Sequence, residues 1–155
     1  MTEHPPLDRT PLHDLHVAAG ATMVPFAGWS MPVKYSSDVA EHLAVRTAAG
    51  LFDISHMAQI AVVGSDAAAF LDYALAGRLS VLAPLQSKYT MILEPTGGIL
   101  DDLIVTNAHT PQEAAAWAEG SAATDFVVVA NAGNRHAVLA ALTERITTAE
   151  RTFDV

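Results

Sequence analysis

The residues best suited to chemistry sit in one run, Gly97-Gly98-Ile99-Leu100-Asp101-Asp102-Leu103-Ile104-Val105, where two adjacent carboxylates interrupt an apolar, strand-forming stretch just after a glycine turn. Asp is depleted in strands, and a carboxylate buried without a partner costs free energy. Side chains alternate along a strand, so Asp101 and Asp102 point to opposite faces. One can be solvated on the outer face. The other then looks inward, toward a core or a cleft, where a carboxylate held by a sheet is suited to acid–base or electrostatic work. The competing account is a turn-proximal Asp satisfied by backbone N–H groups, and the pattern alone leaves both open.

Other candidates carry less. His13 and His16 are three apart, a spacing that suits a metal, but no third ligand accompanies them. Amphipathic surface histidines are the simpler reading. Asp53, Ser55 and His56 invite a hydrolase reading, yet no nucleophile-elbow glycines surround Ser55, so His56 reads as a structural histidine hydrogen-bonded near a pocket. Gly97-Gly98 lacks the spacing and strand–helix context of a phosphate loop, so no nucleotide site is supported.

The elements that must position these residues follow from periodicity and punctuation. Residues 1–9 read as a flexible lead-in. Thr10-Pro11 starts a helix with Thr as N-cap and Pro at the first helical position, stopped by Gly20. Residues 23–35 hold Pro25, Gly28 and Pro32, which exclude a long helix and argue against a central strand. The reading is a short strand at 23–26, then an ordered loop carrying Phe26, Trp29, Met31 and Tyr35. That loop is a core plug or, second, the wall of a pocket for a flat ligand.

Ser36-Ser37-Asp38 caps a helix to about Ala49, with Glu41 in the capping box and Gly50 as the stop. Residues 58–63 read as a strand. Ser65 then caps a helix with Ala67, Phe70, Leu71, Ala74 and Leu75 on its apolar face, stopped by Gly77. Lys88 to Leu93 and 99–106 form a hairpin around Glu94–Gly98. The Ala-rich segment 107–124 reads as a long loop with one helical turn around Trp117. Asp125 to Ala130 is a buried strand. Asn131 or Asn134 caps a last helix to about Thr148, with Val138, Leu139, Leu142 and Ile146 inward. Residues 150–155 end as if another strand were starting. The class is α+β.

Composition bounds the rest. A chain of 155 residues, 51% hydrophobic and 16% charged, is globular and long enough for one core. The net charge of −9 argues against nucleic acid or an anionic membrane as partner. With no Cys, disulfides, thiol catalysis and thiolate metal sites are excluded. The Pro-rich, polar start does not look like a signal peptide, and no apolar run approaches the roughly 18 residues of a spanning helix. The chain reads as a soluble cytoplasmic protein.

Several motifs then agree in order and spacing: T-P-L-H-D-L-H at 10–16, V-P-F-A-G-W-S-M-P-V-K-Y at 24–35, E-H-L-A-V-R at 41–46, G-L-F-D-I-S-H-M at 50–57, G-G-I-L-D-D-L-I-V at 97–105 and V-A-N-A-G-N at 129–134. Together they resemble the N-terminal part of the aminomethyltransferase of the glycine cleavage system, its T protein. The folate domain of dimethylglycine- and sarcosine-oxidising enzymes fits less well over 41–57.

The resemblance implies an aminomethyl carbon carried on the lipoyl arm of a partner, the H protein, and transferred to tetrahydrofolate with release of ammonia. No metal is implied. The family's key aspartate matches Asp102, which would then be the inward carboxylate, with Asp101 outward and structural. Tyr89 and Met57 match positions that would line the folate pocket. Residues 10–148 would supply one half of a duplicated folate-binding domain, with mixed or antiparallel sheet and flanking helices, and 149–155 a truncated tail. Family members are much longer, and their folate-binding Glu and Arg residues lie beyond Val155. The chain is therefore read as a fragment or isolated domain, inactive alone, whose exposed edges would favour a homodimer. The alternative is a non-catalytic folate-binding or scaffold module.

Overall fold

The computed structural model describes residues 6–109 and 126–155, so most of the Ala-rich segment, with the expected turn around Trp117, lies outside the described residues. The chain forms two compact units, Met1–His56 and Met57–Val155. The class is α+β.

The first unit holds β1 (Asp8–Arg9), α1 (His13–Ala18), β2 (Thr22–Phe26), β3 (Trp29–Lys34) and α2 (Asp38–Thr47). Its sheet has the order β1-β3-β2, with β1 parallel and β2 antiparallel to β3. Residues 8 and 9, expected in a lead-in, are thus a strand, and residues 29–34, expected as a loop, are the central one. Two features reconcile this with the prolines. Ala27 and Gly28 both have positive φ, +49° and +86°, which makes the tight mirror-image turn that hairpins favour. Pro32 pairs only with Met23 of β2, because β1 reaches no further than Trp29 and Ser30, so the missing N–H falls on a locally open edge. Of the four residues of the expected core plug, Met31 is buried and Trp29 half-buried, while Phe26 and Tyr35 are exposed.

Helix α1 begins after Leu12 without a side-chain cap; the Thr10 carbonyl instead accepts the His13 N–H at 3.1 Å, so Thr10-Pro11 forms an entry turn. Helix α2 starts as its sequence requires. The Ser37 hydroxyl accepts the Ala40 N–H at 3.4 Å, and the Glu41 carboxylate reaches back to the N–H groups of Tyr35 and Ser36 at 2.9 and 2.8 Å. No residue of α2 is buried.

The second unit holds β4 (Ala58–Val62), α3 (Ala67–Ala74), β5 (Ser87–Leu93), β6 (Ile99–Asn107), β7 (Phe126–Ala130), a short 3-10 turn (Ala132–Asn134) and α4 (Arg135–Thr148). Its sheet is antiparallel throughout, in the order β4-β7-β6-β5. The inward residues of the sheet, among them Ile92, Leu103, Val105, Phe126 and Val128, pack with Phe70 and Leu71 of α3 and Val138 and Leu142 of α4. Each fully buried side chain of this size contributes about 1.5–3 kcal/mol, which makes this core the main source of stability.

Two local readings differ. Ser65 does not cap α3; its hydroxyl donates to the Asp154 carboxylate at 2.6 Å, and the Asp66 carboxylate accepts the Asp154 N–H at 3.1 Å. Residues 150–155 accordingly form no strand but a docked segment, with Phe153 edge-on to Phe70 at 5.4 Å. Leu139 of α4 is 50% exposed rather than inward, whereas Val138, Leu142 and Ile146 pack on the core.

Candidate active site

The hairpin β5–β6 closes through a turn in which Glu94 and Gly98 pair (Glu94 N–H to Gly98 carbonyl, 2.7 Å) and Gly97 takes φ +89°. Just past the turn the register slips. Ile92 pairs with Asp101, but the next residue, Leu93, pairs with Ile99, so Leu100 is a bulge. A bulge breaks the strict alternation of faces. Leu100 packs against the core, and Asp101, its neighbour, also points to the core side at 4% exposure. From there alternation resumes: Leu103, Val105 and Asn107 are buried, and Asp102 and Ile104 are exposed. The expected orientation is therefore reversed. Asp101 is the inward carboxylate and Asp102 the outward one. A groove of about 350 Å³ lies at the turn end of the hairpin, but it opens among Tyr73, Leu75, Leu93, Glu94 and Arg145, and Asp102 does not line it.

Asp101 is fully engaged. Its Oδ2 accepts the Asn131 backbone N–H at 3.0 Å, and its Oδ1 accepts the side-chain amides of Asn131 at 2.9 Å and Asn134 at 2.8 Å. These asparagines, expected as helix caps, make no side-chain cap; they are donors to a buried carboxylate. The Asn131 amide also donates to Asp102 Oδ1 at 3.0 Å. Asn131 therefore joins both carboxylates, a role that periodicity could not show, although its motif was visible beside the Asp pair.

Tyr89 and Asp102 share the outer face. Tyr89 pairs with Ile104 and Met91 with Asp102 across the ladder, which sets Tyr89 diagonal to the carboxylate. Desolvation first, then the Asp102 charge and a hydrogen bond to it, raise the Tyr89 phenol above its ordinary value. Because Tyr89 is 63% exposed, the Asp102 contact is the structurally informative part of that shift. Met57 is half-buried, one residue before β4. Continuing the register Ala58↔Ala130 and Leu103↔Ala130 by one step sets Met57 and Asp102 on either side of Asn131. Around the pair the outer face presents the apolar Ile104, Met91 and Val129, exposed or half-buried, with the polar Gln59, Ser87 and Thr106 further along it. Among the described residues no group of three or more His, Cys, Asp or Glu side chains is placed to hold a metal ion.

The other candidates form a separate network in the first unit. His16 is buried, not a surface histidine; its Nε2 lies 2.8 Å from Asp53 Oδ2 and its Nδ1 2.6 Å from the Tyr35 hydroxyl. Nε2 donates to the Asp53 carboxylate, and Nδ1 shares a hydrogen bond with the Tyr35 hydroxyl. Burial alone would raise the Asp53 carboxyl. The His16 hydrogen bond and the Ser55 N–H, at 2.9 Å, outweigh it and hold the group far below the usual carboxylate range. His56 is not the hydrogen-bonded histidine expected: it stands edge-on to Phe26 at 5.7 Å, and its Nδ1 has no hydrogen-bond partner among the described residues.

Comparison with known proteins gives one answer. The GCVT N-terminal domain family matches residues 12–155. The aminomethyltransferase of Streptomyces coelicolor is 50% identical over 139 residues, covering 90% of this chain and 34% of that protein. That of Cutibacterium acnes is 48% identical, with the same coverage. The crystal structure of glycine cleavage system aminomethyltransferase T from Bartonella henselae superimposes with a TM-score of 0.81 at 42% identity, covering 96% of this chain and 37% of that one. The chain spans about a third of the length of these relatives.

Proposed function

The chain belongs to the GCVT N-terminal domain family, and on that premise we propose that its β5–β6 hairpin supplies part of an aminomethyltransferase site. In this reading an aminomethyl carbon on the lipoyl arm of H protein passes to tetrahydrofolate. The sulfur–carbon bond breaks, carbon–nitrogen bonds to the folate form, and ammonia leaves from the same carbon. The sulfur departs as a thiol of the reduced arm.

The observation that carries the reading is the difference between the two carboxylates. Asp101 is buried and accepts from three donors of its own chain, two at Oδ1 and one at Oδ2. Asp102 is exposed and accepts from the Asn131 amide and the Tyr89 phenol, which leaves lone pairs for a ligand N–H. An accessible anion beside an electron-poor, iminium-like carbon stabilises its developing positive charge and can move protons between folate nitrogen and leaving amine. Tyr89, Met57 and the apolar residues around Ile104 offer the flat, polarisable surface a pterin ring needs.

The test is Asp102→Asn, assayed with aminomethylated H protein and tetrahydrofolate. Transfer is expected to fall by about 100-fold with the fold intact, the scale for losing one electrostatic stabiliser. Unchanged transfer would end the assignment of Asp102. Calorimetric binding of tetrahydrofolate without any transfer by the unaltered chain would instead favour a non-catalytic folate-binding module.

A further inference from the structure

We propose that the buried Asp101 is a positioning residue for Asp102, acting through the side-chain amide of Asn131; the inference rests on the reading of Asp102 as the working carboxylate. An exposed aspartate on a strand would ordinarily sample several χ1 rotamers. Here one of its donors, the Asn131 amide, is itself fixed, whereas the other, Tyr89, is an exposed side chain. The Asn131 amide has two hydrogens. One goes to Asp101 Oδ1 at 2.9 Å, and the other is directed at Asp102, whose Oδ1 lies at 3.0 Å and whose carbonyl lies at 3.3 Å.

The amide cannot flip. A flipped Asn131 would turn its carbonyl oxygen toward two carboxylates, replacing two attractive contacts by two repulsions. The Asn131 backbone N–H, donated to Asp101 Oδ2 at 3.0 Å, pins the residue from the other side. Asn134 completes the clamp, its amide lying 2.8 Å from Asp101 Oδ1 and 3.3 Å from the Leu100 carbonyl in the bulge. The bulge that turns Asp101 into the core thus also builds the donor that holds Asp102 on the opposite face. Asp101 touches no ligand in this arrangement; it sets the orientation of the group that does the holding.

The decisive readout is three-bond coupling about χ1 of Asp102 by NMR in the 155-residue chain. The unaltered chain is expected to show one rotamer. Asn131→Ala and Asp101→Asn are expected to show averaged couplings, the latter because one acceptor oxygen becomes a donor that opposes the Asn131 N–H. A single Asp102 rotamer retained in either folded variant would overturn the proposal, and Asn131→Ala, which leaves Asp101 with two donors, guards against a failure of Asp101→Asn to fold.

In transfer assays, Asn131→Ala should lower kcat about tenfold with KM for tetrahydrofolate within about twofold, and should cost nothing further in an Asp102→Ala background. An equal loss in both backgrounds would show a merely structural role. Absence of transfer in the unaltered chain, which supplies only part of the site, would bear on the proposed function alone and leave the rotamer measurement to decide the positioning.

Discussion

In unit 1–56 the buried carboxylate of Asp53 is held by a titratable partner, His16, whereas in unit 57–155 the buried carboxylate of Asp101 is held by the neutral amides of Asn131 and Asn134. The surroundings differ as well. Asp101 sits at the rim of a sealed core, while helix α2 of the first unit buries none of its residues. The His16 ring passes its contact on as well, from Asp53 at Nε2 to the Tyr35 hydroxyl at Nδ1, 2.6 Å away, and so ties a loop, a helix and the residue after β3 together. An amide clamp has hydrogens to spare, and in Asn131 the spare one reaches Asp102. In both units the partner of the buried carboxylate reaches a third residue, but only in unit 57–155 is that residue a second, exposed carboxylate.

Three measurements would break or sharpen that contrast. Phe70→Ala, in the sealed core, should cost about 3–5 kcal/mol by urea unfolding, whereas Leu43→Ala on the exposed α2 should stay within about 0.5 kcal/mol. Equal costs would mean that the two units are not packed as differently as described.

Asp53→Asn should cost about 2–3 kcal/mol at neutral pH, the scale of a hydrogen bond to a charged group. The Asp53 carboxyl lies below its unfolded value of about 3.9, so its contribution is complete above that value and is lost as pH falls from about 4 toward the folded value. Stability of the unaltered chain should therefore decline in that acid window by up to about 1.4 kcal/mol per pH unit, and Asp53→Asn should flatten the decline. An identical acid limb in both proteins would contradict the His16–Asp53 account. The smallest effect is a gain. Ala27 holds a left-handed φ of +49°, and Ala27→Asn should add about 0.5–1 kcal/mol by calorimetric melting, since Asn tolerates that region of the hairpin turn.

Much of this architecture is written in local pattern. The Ser37 cap with Glu41, the buried face of α3, the hairpin of β5 and β6 and the apolar β7 were all legible, because each depends on residues close in sequence. Strand β3 was not, because Pro32 argues against a central strand unless one knows that β1 stops two residues short of it. The role of Asn131 was hidden for a similar reason. Asparagine before a helix reads as a cap, and only the neighbouring strand shows that its amide is already committed to Asp101. The buried pair of His16 and Asp53 joins residues 37 apart, a separation at which no motif predicts contact.

The sequence by itself determined that two adjacent aspartates in β6 must face opposite ways, that helices and antiparallel strands would share the chain, and that its motifs resemble those of an aminomethyltransferase. It did not determine which aspartate looks inward. Leu103, Ile104 and Val105 are apolar on both phases, so the strand reads equally well either way round. Pairing with β5 decided it: the slip between Ile92 and Leu93 inserts Leu100 as a bulge and turns Asp101 to the core. A register is a relation between two strands, and neither strand carries it alone.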